Sequence, residues 1–211
     1  MKKFAMTIAA SITLLPALIF SNSIVFSIFI IILIAILLSW VSIEFYIGIT
    51  RPCQGTEPKQ PLLMISRMFW LFFVIYSWAD IRYHWSTAEF SSWFMALLVA
   101  LCSAGLLIRI WAVIHLGKSF SYDVKMPESG KLIKTGPYRF SRHPAYLGIL
   151  ILGSLPGLIL GSIPGFIGML LTTLVPVIIR AKAEDELLEA EFGENYMKYK
   201  QSTFGLIPFV Y

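Results

Sequence analysis

Charge is scarce in this chain. Of its 211 residues only 14% are Asp, Glu, Lys or Arg, against about a quarter in an ordinary soluble domain. That excludes a string of independent water-soluble domains. Cysteine is scarce too: Cys53 and Cys102 are the two present. They lie far apart and Cys102 sits inside an apolar run, so neither a disulfide framework nor a thiolate metal site is indicated. There is no His-Glu-x-x-His, no cluster of Cys and His and no Gly-x-Ser-x-Gly. Zinc and serine hydrolysis therefore lack support, and no metal is expected. Gly-x-Gly-x-x-Gly is also missing, so no Rossmann domain is expected.

What the chain has is apolar length. Hydrophobic residues make up 57% and mean hydropathy is +0.76. Several runs approach or exceed the length of about 20 residues that spans a bilayer. The pattern predicts an all-α integral membrane protein with about six transmembrane helices, near 4–20, 24–43, 62–81, 93–116, 144–160 and 163–180. Met1-Lys2-Lys3 before an apolar run is the pattern of a signal peptide. Ser21-Asn22-Ser23 offers no good cleavage site, however, and a second run starts at Ile24. An uncleaved hairpin is expected. Pro and Gly mark residues 51–61 as a loop, residues 82–92 form a short polar loop, and 117–143 is the longest polar segment. The last apolar stretch, Tyr146 to Ile179, is punctuated by Pro156, Gly161 and Pro164 and reads as a helical hairpin. From Arg180 onward a charged amphipathic helix and a tail are expected. Residues 1–92 and 93–211 are expected to fold as one unit.

Positive charge orients the spans. With the N-terminus in the cytoplasm, fourteen Lys and Arg fall on that side and Arg82 alone on the other. Such an asymmetry follows the positive-inside rule. The net charge of +5 then belongs to membrane topology, and no nucleic acid is expected. The same orientation puts 117–143 and the C-terminal helix on one side, the cytoplasmic face.

Gly153, Gly157, Gly161 and Gly165 recur every four residues, the spacing that lets membrane helices approach closely. Of the ionisable residues in or beside spans, Glu44, Arg67, Asp80 and Arg109, Arg67 and Asp80 stand near span ends, where snorkelling suffices. Arg109 lies about two turns inside its span and is a candidate. His84 and His115 read as packing or interface residues.

One stretch stands out: Gly136-Pro137-Tyr138-Arg139-Phe140-Ser141-Arg142-His143-Pro144-Ala145-Tyr146-Leu147-Gly148. Pro144 suits the first turn of a helix, where a missing N–H costs nothing. His143 then stands at the N-cap, and the N–H groups of Ala145 and Tyr146 are expected to point outward and to favour an anion. With two arginines, a histidine and two tyrosines around it, this is a binding surface for a small charged molecule. In the C-terminal helix Leu188, Phe192, Tyr196 and Tyr199 have the spacing of one face. Arg180 and Glu184 are one turn apart. A guanidinium there can hold a carboxylate bidentately.

Together these residues carry a resemblance. The combination G-P-Y-R-x-x-R-H-P-x-Y-x-G, a helical hairpin, then R-x-x-x-E-[DE]-x-x-L-x-x-x-F-G-x-x-Y-x-x-Y resembles the isoprenylcysteine carboxyl methyltransferase family, and the related phospholipid N-methyltransferases share this C-terminal plan. It covers about residues 93–208, including Leu116-Gly117-Lys118-Ser119-Phe120 and Leu206-Ile207-Pro208. The resemblance implies S-adenosylmethionine as methyl donor. Carried onto this chain, it implies a cofactor pocket of Lys131, Leu132, Ile133, Tyr138, His143, Pro144, Ala145, Tyr146 and Glu184. Arg180 would face the methyl acceptor, with Arg109 as a second acceptor-side candidate; Arg180 and Glu184 are the expected catalytic pair. Two positions depart from the family: Gly130 where many members have His, and Asp185 in place of the usual second Glu. The implied acceptor is a lipophilic carboxylate such as a prenylated cysteine, entering from the bilayer and its lipid. A phospholipid or small amine or thiol methyltransferase is the alternative reading. A non-enzymatic membrane bundle is the third.

Overall fold

The computed structural model describes residues 24–50, 60–83, 90–120 and 131–206. The expected span 4–20, Gly130 and most of the expected loops lie outside them. Seven helices are named here: α1 Ile24–Thr50, α2 Gln60–Tyr83, α3 Ser92–Leu116, α4 Pro144–Ser154, α5 Pro156–Ile159, α6 Ile163–Phe192 and α7 Glu194–Ser202, with 3-10 turns at Gly117–Ser119 and Gly136–Arg139. Among the described residues there is no strand, only a bridge between Ser141 and Phe204.

The helices form where apolar residues run unbroken, and they satisfy their own polar groups. In α1 the hydroxyls of Ser39, Ser42 and Thr50 donate to the carbonyls of Ala35, Leu38 and Tyr46, one turn back. In an apolar surrounding every such group needs an internal partner. Among the described residues, Phe26–Thr50, Ser92–Leu116 and Ile163–Phe192 are long and apolar enough to cross a membrane, and Pro144–Ile159 is a shorter apolar helix. The residues of the expected third span form a helix, α2.

The core draws on α1 to α6: Ile30, Leu33, Leu37, Val74, Leu98, Cys102, Leu152, Ile159 and Met169 are all buried. The outer faces leave large apolar residues such as Ile31, Phe69, Leu107, Ile114 and Leu171 exposed. Helices α3 with α4, and α2 with α6, are the most intimate pairs. Glycine permits this. A Cβ on Gly148 would lie 2.6 Å from the Gly105 carbonyl oxygen, and one on Gly157 would strike the Phe166 backbone. Of the four-residue glycine series, Gly153, Gly157 and Gly165 each face another element closely, as their spacing predicts. Gly161 does not belong to that series in role: it takes φ +74° in the turn before α6, where the hairpin reverses.

Two expectations are corrected. Asp80 does not reach toward water. It is fully buried and accepts a 2.5 Å hydrogen bond from the Ser162 hydroxyl, which in turn caps the Gly165 N–H. A carboxylate at the start of α6 is stabilised by the helix dipole, so its partner is a helix end, not solvent. Nor does the chain break at Arg180. Helix α6 runs on for 30 residues, about 45 Å, well beyond the apolar part that ends at Ile179. It stops at Gly193, φ +50°, a left-handed end that glycine adopts without strain. Leu188 and Phe192 are therefore not on one helix with Tyr196 and Tyr199, which belong to α7.

Candidate functional site

The polar stretch 136–143 and the far end of α6 meet. Pro144 opens α4 and His143 is its N-cap residue, as expected. The Tyr146 N–H, expected to point outward, instead donates to the His143 carbonyl at 3.0 Å. Of the expected pair, the Ala145 N–H is left. The His143 ring does not cap α4. It crosses to α6, where Nε2 lies 2.7 Å from Asp185 Oδ1 and Nδ1 lies 3.7 Å from Glu184 Oε2.

A second chain of contacts runs beside it. Arg180 Nε donates to the Tyr146 hydroxyl at 3.1 Å, and that hydroxyl donates to Glu184 Oε1. Arg180 Nη2 stands 3.9 Å from the same Glu184 oxygen. The rings of His143 and Tyr146 stack at 5.7 Å. Four of the residues picked from sequence, His143, Tyr146, Arg180 and Glu184, thus form one cluster where α4 begins and α6 leaves its apolar part. Its side chains run from buried, His143 at 3%, to Glu184 at 27% exposed.

Tyr138, Ala145 and Ile133 form an apolar wall against Ala112 of α3. The Tyr138 hydroxyl turns to the Ala112 carbonyl at 3.4 Å. Leu132 is half-buried beside Ile133, Pro144 is buried, and Lys131 is exposed. Arg109 reaches in another direction, toward α1. Its Nε is 2.8 Å and its Nη2 3.2 Å from the two Glu44 oxygens, and its guanidinium lies 5.1 Å from the Phe120 ring centre. The Trp40 indole N–H donates to Glu44 as well.

Neither arginine of the 139–142 stretch joins the cluster as a free cation. Arg139 lies over the Phe140 ring. Arg142 donates to the carbonyls of Lys200 and Thr203 at 3.0 and 2.8 Å, with Nε 3.6 Å from Asp185 Oδ2. The tail is clipped on further. The N–H groups of Arg142 and His143 donate to the carbonyls of Phe204 and Gly205, and Ser141 Oγ donates to Gly205. From α7 the Tyr199 hydroxyl donates to the Tyr138 carbonyl at 2.6 Å.

Asp185 stands out in the sequence only as a departure from the family pattern, with no role attached to it. It is 3% exposed and takes hydrogen bonds from both His143 and the Tyr196 hydroxyl on Oδ1. Burial alone would raise its pKa, but the His143, Tyr196 and Arg142 partners hold it below the usual carboxylate value. Burial works to lower the pKa of His143; the Asp185 and Glu184 carboxylates outweigh it and raise the pKa above the ordinary 6.5. The available signal was helical spacing. Ala181 and Asp185 are one turn apart and both buried, so the buried side of the extended α6 passes through a carboxylate.

Comparison with known proteins shows what this chain is similar to. A sequence model of the isoprenylcysteine carboxyl methyltransferase family matches residues 97–190, which bears out the resemblance read from the motifs. The chain is 26% identical over 132 residues to protein-S-isoprenylcysteine O-methyltransferase A of Arabidopsis thaliana, covering 62% of this chain and 64% of that one. It is 29% identical over 121 residues to a probable protein-S-isoprenylcysteine O-methyltransferase of Oryza sativa subsp. indica, covering 56% and 63%. These matches span just under two thirds of each relative's length. The fold is shared with the solved structure of the eukaryotic intramembrane Ras methyltransferase ICMT, at a TM-score of 0.66, 21% identity, and coverage of 90% of this chain and 70% of that one.

Proposed function

We propose that this chain is an S-adenosylmethionine-dependent membrane methyltransferase of the isoprenylcysteine carboxyl methyltransferase family, acting on a lipophilic carboxylate. The observation that carries this reading is the meeting of His143, Tyr146, Arg180 and Glu184 within the region that matches the family. The proposed topology is six spans with this cluster on the cytoplasmic face, in keeping with the distribution of Lys and Arg.

The donor set suits the cofactor. S-adenosylmethionine, when bound, supplies a methyl group on a sulfonium. Its amino-acid end needs partners for a carboxylate and an ammonium. The Ala145 N–H at the start of α4 and a protonated His143 suit the carboxylate; Glu184 suits the ammonium or a ribose hydroxyl. Tyr138 and Tyr146 offer aromatic faces for adenine or the sulfonium cation. Pro144, Leu132 and Ile133 give apolar walls, and Lys131 stands at the rim. Methyl transfer is an in-line displacement, so alignment at about 3 Å and exclusion of water are the main demands on the protein. A carboxylate acceptor is already ionised and needs no base. Arg180 would place it, with Tyr146 and Glu184 holding the guanidinium in position. Arg109, bound to Glu44, would line the acceptor's approach from the bilayer.

The direct test is incubation of the purified protein with labelled S-adenosylmethionine and a panel of prenylcysteine analogues, ethanolamine lipids and thiols. Label in the prenylcysteine carboxylate is the expected result. Arg180→Ala should abolish transfer while the demethylated product still binds by calorimetry. Equal loss of binding and turnover would contradict the acceptor role. An amine acceptor would first lose a proton, so its rate would fall at low pH; label in an ethanolamine lipid with that profile would favour the N-methyltransferase alternative. Absence of any binding would leave the non-enzymatic bundle.

A further inference from the structure

The methyl-transfer reading gives Asp185 no task, yet it is the most heavily engaged carboxylate at the site. It is buried, and Oδ1 receives both His143 Nε2 at 2.7 Å and the Tyr196 hydroxyl at 2.5 Å. Oδ2 faces Arg142 Nε at 3.6 Å, too far for a hydrogen bond, and both of those atoms are buried without one. A buried carboxylate left partly unsatisfied is costly. A fold that needed only packing at this position would do as well with an apolar side chain.

An ionised carboxylate accepts and cannot donate. Its bond to Nε2 therefore requires a proton on that nitrogen. The ring is then held with Nδ1 facing Glu184, 3.7 Å away, on the side where Tyr146 and Arg180 gather. We propose that Asp185 is a positioning residue for the cofactor: it keeps the His143 proton on Nε2, turns Nδ1 into the site, and stabilises the imidazolium whose Nδ1–H meets the cofactor's carboxylate. This rests on the cofactor reading above and deepens it. Second groups that fix the tautomer and orientation of a functional histidine act in this way in other sites.

The charged and titratable groups around the ring come from each element packed on it. Arg142 belongs to its own loop, Tyr146 to α4, Arg180, Glu184 and Asp185 to α6, and Tyr196 to α7. The two carboxylates outweigh burial and favour the protonated ring. With Asp185 neutral, Glu184 alone would remain beside the ring as an anion. The pull on the proton would weaken although the shape of the site persists.

Asp185→Asn tests this, since its amide oxygen still accepts from Nε2 while the charge is gone. Binding of S-adenosylhomocysteine to the full chain in detergent should be within about threefold of the native value near pH 6 and about tenfold weaker near pH 8. Equal loss at both pH values would mark a merely structural role and overturn the proposal, as would no loss at either. The ring itself gives a readout that needs no ligand. The chain has three histidines, and His143→Gln identifies the one of interest in nitrogen-15 spectra. Native His143 should titrate above 6.5 and carry its proton on Nε2 when neutral. A neutral form with the proton on Nδ1, or an ordinary titration, would overturn the proposal even if Asp185→Asn does not fold. Tyr196→Phe, which keeps the charge, should leave the tautomer in place. Native protein that shows the expected ring state but no binding of S-adenosylhomocysteine would sink the cofactor reading and the cofactor part of this proposal; the Asp185–His143 lock would stand by itself.

Discussion

Helix α6 belongs to two regions held together by different physics. Up to Ile179 it packs among apolar helices, and closeness decides stability: Gly165 and Gly168 lie against Ser77 and Phe73 of α2, and Gly153 of α4 lies against Thr173. Beyond Arg180 the same helix packs through a carboxylate, and directed hydrogen bonds from His143 and Tyr196 decide. The first region tolerates exchange of apolar side chains but not added volume. The second tolerates little change in charge or donor pattern. One helix can serve both because its 30 residues run well past its apolar part.

The comparison is broken most severely by placing an uncompensated charge in the apolar half. Glu44→Ala leaves Arg109 buried without its carboxylate partner, and should cost about 3–5 kcal/mol in a detergent unfolding assay. A cost under about 1 kcal/mol would mean that the pair is solvated. Next comes volume. Gly157→Ala drives a methyl group into the Phe166 backbone and should cost about 1–3 kcal/mol, with no change in the His143 titration. Smaller still is the pH dependence of the polar half. The raised pKa of His143 means its contribution is full below 6.5 and lost as pH rises through the folded-state value. The lowered pKa of Asp185 means its contribution is full above 3.8 and lost as pH falls through its folded-state value. Thermal melts should therefore show a plateau between those two ordinary values and an alkaline decline that Asp185→Asn flattens. An alkaline limb unchanged in that variant would detach the pair from stability. Smallest is Lys200→Ala. Its 3.1 Å bridge to Glu189 is exposed at about two fifths on both sides, so the loss should be about 0–1 kcal/mol.

The helices within the described residues were legible because their signals are local. Pro144, Pro156, Gly161 and Pro164 mark ends and turns, and apolar length marks the bodies. The candidate residues on α4 and α6 were legible because Pro at a first turn and an Arg–Glu pair one turn apart have meaning within a few residues. The errors share one cause. A break at Arg180, a Tyr146 N–H turned outward, an Asp80 in water and an Arg142 facing a ligand each depended on what stood across the fold. The tail illustrates the point: Phe204 and Gly205 take up the N–H groups of Arg142 and His143, and nothing in the spacing of either segment announces it.

Composition and the length of the apolar runs were enough to declare a helical membrane protein whose polar chemistry gathers at one end, because the cost of placing charge in hydrocarbon acts residue by residue. Which nitrogen of His143 faces the site, and that Asp185 holds it there across 42 positions of chain, came only with folding. A hydrogen bond depends on where both partners are brought, and that is a property of the packed helices together.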